Sequence, residues 1–339
     1  MSPSIFNAVL EDVFSKLKHR WDRLHFGFSL GQRWRLTNLR FADDVLLVAE
    51  SRSHLQRMIE DLLIEAASVG LEMHMGKTKI LSNTSATGHL KIRGQNIEIL
   101  DNLTGTMYLG RLLSTGACME TELDNRLQKS WKTFFSHRKQ LCNKSFAIRR
   151  RLQLFNSTVT AVMMYGAGTW TLKAEDLRKM QAEQRKMLRM MLNISRKVVE
   201  GEAPAEDDDE EEEFEMEADD ADGEEQVWLE DWVSWVQRAT HIAEVELEKA
   251  HVIDWVREQR GRYWDFAGRV ARCSDDRWSH VVLHWIPDGA RHVGAPCKRW
   301  RDDVAKFCRE SSNEHWEILA QDVHTWHALR DRFIETAVI

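Results

Sequence analysis

Leu39-Arg40-Phe41-Ala42-Asp43-Asp44-Val45-Leu46-Leu47 sets two adjacent carboxylates between two short apolar runs. Leu36–Phe41 and Val45–Ala49 have the length and residue content of strands, so the stretch reads as a hairpin with the acidic pair at its tip. Aspartates are common in turns for conformational reasons alone, and a solvated turn accounts for the dipeptide by itself. Chemistry offers a second account. Two carboxylates side by side resist simultaneous ionisation unless a cation joins them, and hard oxygen ligands in small number suit Mg2+. A hairpin would mount such a pair rigidly.

Outward from the hairpin the periodicity changes. Ile5, Phe6, Val9, Leu10, Val13, Phe14 and Leu17 have helical spacing before it. A second helix follows from about Ser53, where Ser53 and Gln56 have capping-box spacing, and Gly70 supplies its stop. Residues 71–116 read as short strands, among them Glu72-Met73-His74, Lys79-Ile80-Leu81 and Met107-Tyr108-Leu109, punctuated by glycines. Helical periodicity returns over 119–198. Residues 199–226 are acidic and of low complexity, the pattern of a disordered, solvated linker. Residues 227–339 hold ten of the 14 tryptophans, and Trp228, Trp232 and Trp235 are spaced as one helical face, which implies packing before it implies base stacking. The expected fold class is α+β.

Charge is unevenly distributed. The chain of 339 residues carries 47 basic and 54 acidic side chains, and the 17 acidic residues between Glu200 and Glu225 have no basic companion. Without that insert the balance is 47 against 37, or +10, which favours an anionic partner for the folded parts. No run of about 20 predominantly apolar residues is present to span a membrane, and no secretory signal opens the chain. The five cysteines are scattered without a Cys-x-x-Cys. A reduced, intracellular protein without a zinc knuckle is the expectation.

The hairpin stretch closely resembles the motif that carries the catalytic aspartates in reverse transcriptases of non-LTR (LINE-type) retrotransposons. Ser2-Pro3-Ser4-Ile5-Phe6-Asn7-Ala8-Val9-Leu10 resembles the downstream part of the preceding palm motif, and Gly70-Leu71-Glu72-Met73-His74-Met75-Gly76-Lys77-Thr78-Lys79 the following one, with His74 where the family typically has Asn. Tyr108-Leu109-Gly110 resembles the primer grip. Residues 154–189 are similar to the helical thumb, and Arg269–Arg272 and Gly294–Asp303 to the tail that follows it. The resemblance implies a partial polymerase palm over 1–116 (an antiparallel hairpin plus helices), a helical thumb-like region over 117–198, the acidic linker, and a helical Trp-rich C-terminal region over 227–339.

It further implies an RNA-directed DNA polymerase lineage in a transposable element: Mg2+-dependent nucleotidyl transfer (Mn2+ serving as well), with Asp43 as principal metal ligand and Asp44 as its partner. RNA template and DNA primer would be the partners, in the nucleus, with no membrane association and no small-molecule cofactor. In the family the first catalytic Asp lies on a strand upstream of the helix at which this chain begins. The expectation is therefore an N-terminally truncated protein, inactive alone and weak in Mg2+ binding, with dNTP used only if upstream segments are supplied. A non-catalytic nucleic-acid-binding protein derived from a retroelement is the alternative.

Other signals attach to that frame. Lys77 and Lys79 are either phosphate-facing charges or plain surface lysines; Gly76-Lys77-Thr78 lacks the glycine spacing of a phosphate-binding loop. Arg149, Arg150 and Arg151, with Arg185, Lys186 and Arg189 on the following basic helix, could grip a template–primer duplex. The acidic insert directly follows that helix and could compete for its surface as a nucleic-acid mimic. His324 and His327, near Cys308 and His315, match no standard zinc spacing.

Overall fold

The computed structural model describes residues 3–31, 33–84, 87–102, 104–116, 118–200, 227–273, 277–286 and 298–336. The acidic segment 201–226 and most of the Gly294–Asp303 tail motif's first half lie outside them. In chain order the elements are α1 (Pro3–Arg23), β1 (Phe28–Ser29), β2 (Arg35–Leu36), β3 (Asn38–Phe41), β4 (Asp44–Leu47), α2 (Arg52–Ser68), β5 (Ile80–Leu81), β6 (Gly88–Ile92), β7 (Gln95–Leu100), β8 (Thr106–Tyr108) and β9 (Arg111–Leu113). Then come α3 (Cys118–Ser136), α4 (Arg138–Leu141), α5 (Ile148–Phe155), α6 (Ala161–Met163), α7 (Ala174–Leu192), β10 (Val198–Glu200), β11 (Val227–Leu229), α8 (Trp232–Lys249), α9 (Trp255–Ala271), α10 (Trp278–His284), α11 (Asp302–Ser312), α12 (Trp316–Leu319) and α13 (Val323–Glu335). The architecture is mixed α and β, with small, mainly antiparallel sheets.

Packing forms two compact units: residues 1–126, 166–173 and 260–338 in one, and 127–165 and 174–259 in the other. The boundaries expected from composition cut across this division. Residues 227–259 pack with residues 127–165 and 174–200, and 260–336 with residues 3–126.

In the first unit, Leu10, Val13, Phe14, Leu17 and Trp21 of α1 bury one helical stripe against Met58 and Leu62 of α2. Trp21 Nε1 and Arg20 Nη1 both donate to the buried Asp61 carboxylate at 3.2 Å, so the polar atom enclosed by this core has partners. Helix α2 is capped two residues earlier than the Ser53 expectation: Ser51 is its cap, its side chain accepting from the His54 N–H at 3.2 Å. It ends at Gly70 as expected, where φ is +75° and the Leu71 N–H reaches back to the Ala66 carbonyl. Glu72-Met73-His74 does not form the expected strand. His74 Nδ1 accepts from the Lys77 N–H at 3.3 Å, and that side-chain cap winds Met75–Lys77 into a tight 3-10 turn.

Ile80, Leu90, Ile92, Ile97 and Ile99 of the sheet β5-β7-β6 cover Ile59 of α2. The C-terminal part of the same unit closes around Trp264 and Trp326, stacked at 3.9 Å, with Tyr263, Phe307, Trp316 and Phe333 around them. Burying aromatic side chains of this size is worth roughly 1.5–3 kcal/mol each. Trp278 packs edge-on to Trp34, and Trp285 to Phe28, which fastens α10 to β1 and β2.

In the second unit Trp255 lies parallel to Phe155 (6.0 Å, 9°), and its Nε1 donates to Thr160 Oγ1 at 2.9 Å. Helix α7 is shorter than the periodicity suggests. Asn193 takes a left-handed conformation (φ +48°) and ends it, and Val198–Glu200 instead pair antiparallel with Val227–Leu229. Trp228 therefore sits on β11, off the face of Trp232 and Trp235, because Asp231 caps α8 after it. Trp235 Nε1 donates to the Ile194 carbonyl at 3.0 Å, while Trp232 is 62% exposed. Among the described residues no helix is long and apolar enough to cross a membrane.

Candidate catalytic and nucleic-acid site

Strands β3 and β4 pair in register from Asn38↔Leu47 to Phe41↔Asp44, leaving Ala42-Asp43 as a two-residue turn. Asp43 is thus the turn's second residue and Asp44 the first of β4; both are exposed. Ala42 takes φ +52°, a region that costs a non-glycine residue on the order of 1 kcal/mol. A two-residue connection between right-twisted strands requires positive φ at its first position, so register enforces the strain. One face of the hairpin is anchored. Val45 and Leu47 pack on the α1–α2 core, Arg40 pairs with Glu11 at 2.9 Å, and its guanidinium lies 4.7 Å from the Phe14 ring centre. Phe41, at 64% exposure, stands beside the carboxylates on the open side.

A second hairpin meets the first. β8 and β9 pair around Leu109-Gly110, with φ +48° and +77°, the two positive values that a type I′ turn demands. The Tyr108 hydroxyl donates to the Leu39 carbonyl at 3.5 Å. Its phenol is held above the usual tyrosine range, first by burial and then by the negative charge of Asp44. Two residues that the sequence reading passed over fix this hairpin from below. Glu122 Oε2 accepts from the Leu112 N–H at 2.7 Å, and its Oε1 from Arg126 Nε at 2.7 Å. Arg126 Nη2 in turn donates to the Gly110 carbonyl. Both side chains are buried.

The Tyr108–Asp44 proximity is testable by its pH linkage. A phenol whose pKa is raised in the fold contributes stability that is fully present below pH 10 and is lost as pH climbs toward the folded value. Asp44→Asn should therefore bring the Tyr108 titration, isolated at 295 nm as the difference from Tyr108→Phe, to lower pH. An unchanged midpoint would mean that the two groups do not sense each other.

A cleft of about 1020 Å³ runs between one face of α1 (Asn7, Glu11, Ser15, Lys18) and the outer edge of β3, ending at Ala42, with Trp278 on its wall. The basic residues are placed less uniformly than their sequence suggests. Lys77 is exposed, whereas Lys79 is ion-paired to Glu98 and holds that carboxyl below its ordinary range. Arg149 and Arg150 are exposed on the first turn of α5. Arg151 is not beside them as a duplex contact. It is 8% exposed and donates to the carbonyls of Met191 (2.7 Å), Phe146 (3.1 Å) and Leu141 (3.2 Å), because a buried guanidinium must find acceptors.

On α7, Arg185 pairs with Glu244, Lys186 lies 5.7 Å from the Trp131 ring centre, and Arg189 donates to Thr240 Oγ1 at 3.0 Å. Burial, and then Arg185, lower the Arg189 pKa. A further group of exposed cations in this unit is unpaired. Arg138, Lys139, Lys144, Arg149 and Arg150, on α4, α5 and the turn between them, are all exposed and form no ion pair among the described residues. The unbroken spacing of cations with no acid from Arg138 to Arg151 was the sequence signal for that cluster.

Residues 1–111 match the family model described as reverse transcriptase (RNA-dependent DNA polymerase). The chain is also 26% identical over 302 residues to a transposon-derived protein of Caenorhabditis elegans, an alignment covering 87% of this chain and 95% of that one. No solved structure matches. The chain thus carries a reverse-transcriptase-like region at its N-terminus and is similar, over most of its length, to a transposon-derived protein.

Proposed function

We propose that this protein is a retroelement-derived member of the non-LTR reverse-transcriptase lineage that binds an RNA template paired with a DNA primer, acting in the nucleus. The observation that carries this reading is the seating of Tyr108 on the Leu39 carbonyl, which joins the Tyr108-Leu109-Gly110 hairpin to the strand leading to Asp43. A primer terminus supported by the second hairpin would lie against the carboxylates of the first. Asp43 and Asp44 suit a divalent cation in donor type and exposure. Mg2+ or Mn2+ bound there would supply positive charge beside a transferring phosphoryl group. Around that point the first unit's own groups hold the hairpin still, present the aromatic face of Phe41 and offer Lys77 to phosphates, while the second unit offers the exposed cations of α4 and α5 to nucleic acid.

No third Asp, Glu, His or Cys joins Asp43 and Asp44 in a metal-binding group among the described residues. A two-metal site draws on more ligands than one adjacent pair, so the reading is of duplex binding with weak cation affinity. Extension with dNTPs would require a carboxylate from elsewhere. The test pairs primer extension on an RNA template, in Mg2+ and in Mn2+, with duplex binding by the same preparation. Salt-dependent binding, with extension no greater than that of Asp43→Asn, is the expected result. Robust extension abolished by Asp43→Asn would establish a polymerase instead, and failure to bind duplex at low salt would remove both readings.

A further inference from the structure

Two phenylalanines of the second unit stand in solvent. Phe135, at the end of α3, is 50% exposed, and Phe146, in the turn between α4 and α5, is 46% exposed. Both are held there. Phe134 takes the inward position on α3, fully buried and edge-on to Phe155 of α5 at 6.5 Å, which turns the next side chain outward. The Phe135 ring is backed by Trp131, stacked on it at 5.5 Å and 27°, and Trp131 Nε1 donates to Glu183 Oε2 at 2.6 Å. In the turn, Asn143 Oδ1 accepts from the Ser145 N–H at 2.9 Å, and the Asn143 carbonyl from the Phe146 N–H at 3.2 Å. The Phe146 carbonyl accepts from Nε of the buried Arg151 at 3.1 Å, so the backbone is pinned while the ring stays exposed. The exposed cations Arg138, Lys139 and Lys144 lie between the two rings in the chain, and Arg149 and Arg150 follow within four residues. No acidic residue occurs from Asn125 to Ala174.

A duplex has a use for the cations alone. Its bases are stacked on one another, so a protruding phenyl ring meets sugar and phosphate and gains no partner for its face. An unpaired strand offers both: phosphates for the cations, and open base faces for rings that have no hydrogen-bonding group of their own. We propose that the end of α3, α4 and the turn before α5 form a surface for single-stranded nucleic acid, with Phe135 and Phe146 as base-stacking platforms and the five cations on the backbone phosphates. The inference rests on the nucleic-acid-binding reading above and narrows what this surface takes to an unpaired stretch. Every base has a face on which phenylalanine can stack, so binding here is tolerant of sequence. The cations serve duplex and single strand alike; the rings distinguish them.

Binding of fluorescent oligo-uridine, and of a duplex of the same length, is measured by anisotropy with the full chain over a range of salt. The parent should bind the single strand, and Phe135→Leu/Phe146→Leu should weaken that binding on the order of tenfold, since each stacked base contributes severalfold. Duplex affinity and the salt slopes should not change, because leucine keeps the apolar area and every cation but offers no ring. Oligo-uridine carrying 5-bromouridine, irradiated on the parent chain, should cross-link to Phe135 or Phe146, a readout that needs no variant. No single-strand binding by the parent, a leucine variant that binds it as the parent does, equal losses for single strand and duplex, or cross-links confined to other residues would each overturn the inference. Duplex binding by the parent in the same assay reports separately on the proposed function, which can stand while the stacking surface falls.

Discussion

Arg126→Ala is expected to lower the unfolding free energy of the first unit by about 3–5 kcal/mol, since it strands a buried carboxylate. Glu122 is 0% exposed, and one of its two oxygens depends on Arg126 Nε at 2.7 Å. The other accepts from the Leu112 N–H and from Asn125 Nδ2 at 2.9 Å, so the charge cannot relax into solvent when its partner is lost. The β8–β9 hairpin would lose its Gly110 tether at the same time. Two measurements follow from one variant. The urea transition should move to lower concentration, and the Asp44-dependent rise in the Tyr108 titration should shrink, because Tyr108 is the last residue of β8. Glu122→Leu/Arg126→Met should recover most of the stability, as apolar replacement of a buried pair is often neutral or better, but should not recover the Tyr108 shift. A double variant as unstable as Arg126→Ala would show that hairpin tethering, and not the stranded charge, sets the cost.

That pair also shows where reading the sequence stops. The Phe41–Asp44 hairpin is legible because the change to strand-like runs on either side of an Asx turn is a local signal, and Gly70 is legible because only its positive φ lets α2 end there. Glu122 and Arg126 are four apart on a helix, a spacing that ordinarily marks a solvated pair. What buries them is the hairpin at Leu109-Gly110, a tertiary contact that periodicity does not encode. His74 is similar: its neighbours suggest a strand, and one imidazole hydrogen bond turns the chain instead. Arg151 could have been found. Three consecutive helical residues sweep about 200° of the helix surface, so Arg149, Arg150 and Arg151 cannot all face solvent on a helix that is packed on one side. Trp228 fell outside the helical face because the stop at Asn193 and the cap at Asp231 together create a strand pair that neither residue announces alone.

Replacing Arg138, Lys139, Lys144, Arg149 and Arg150 by glutamine is expected to weaken duplex binding on the order of a hundredfold at low salt and to flatten its salt dependence. Each phosphate contact contributes about 0.9 to the slope of log affinity against log salt on duplex DNA, so five contacts account for about 4–5 of it. These side chains are exposed and without ion-pair partners among the described residues, whereas Lys79 and Arg185 are already paired with Glu98 and Glu244. The contrast makes the prediction specific: Lys79→Gln and Arg185→Gln should change the slope by much less than one contact each. Arg151→Gln should instead act on folding, through the three carbonyls it serves, and leave the slope of the folded fraction intact. The acidic run of Glu200–Glu225 enters the same measurement with opposite sign. If it competes for these cations, deleting it tightens binding at low salt in the parent chain and has little effect once the five cations are gone. A slope that survives the fivefold substitution would move the nucleic-acid surface off α4 and α5, and with it the reason for assigning the competitor to that face.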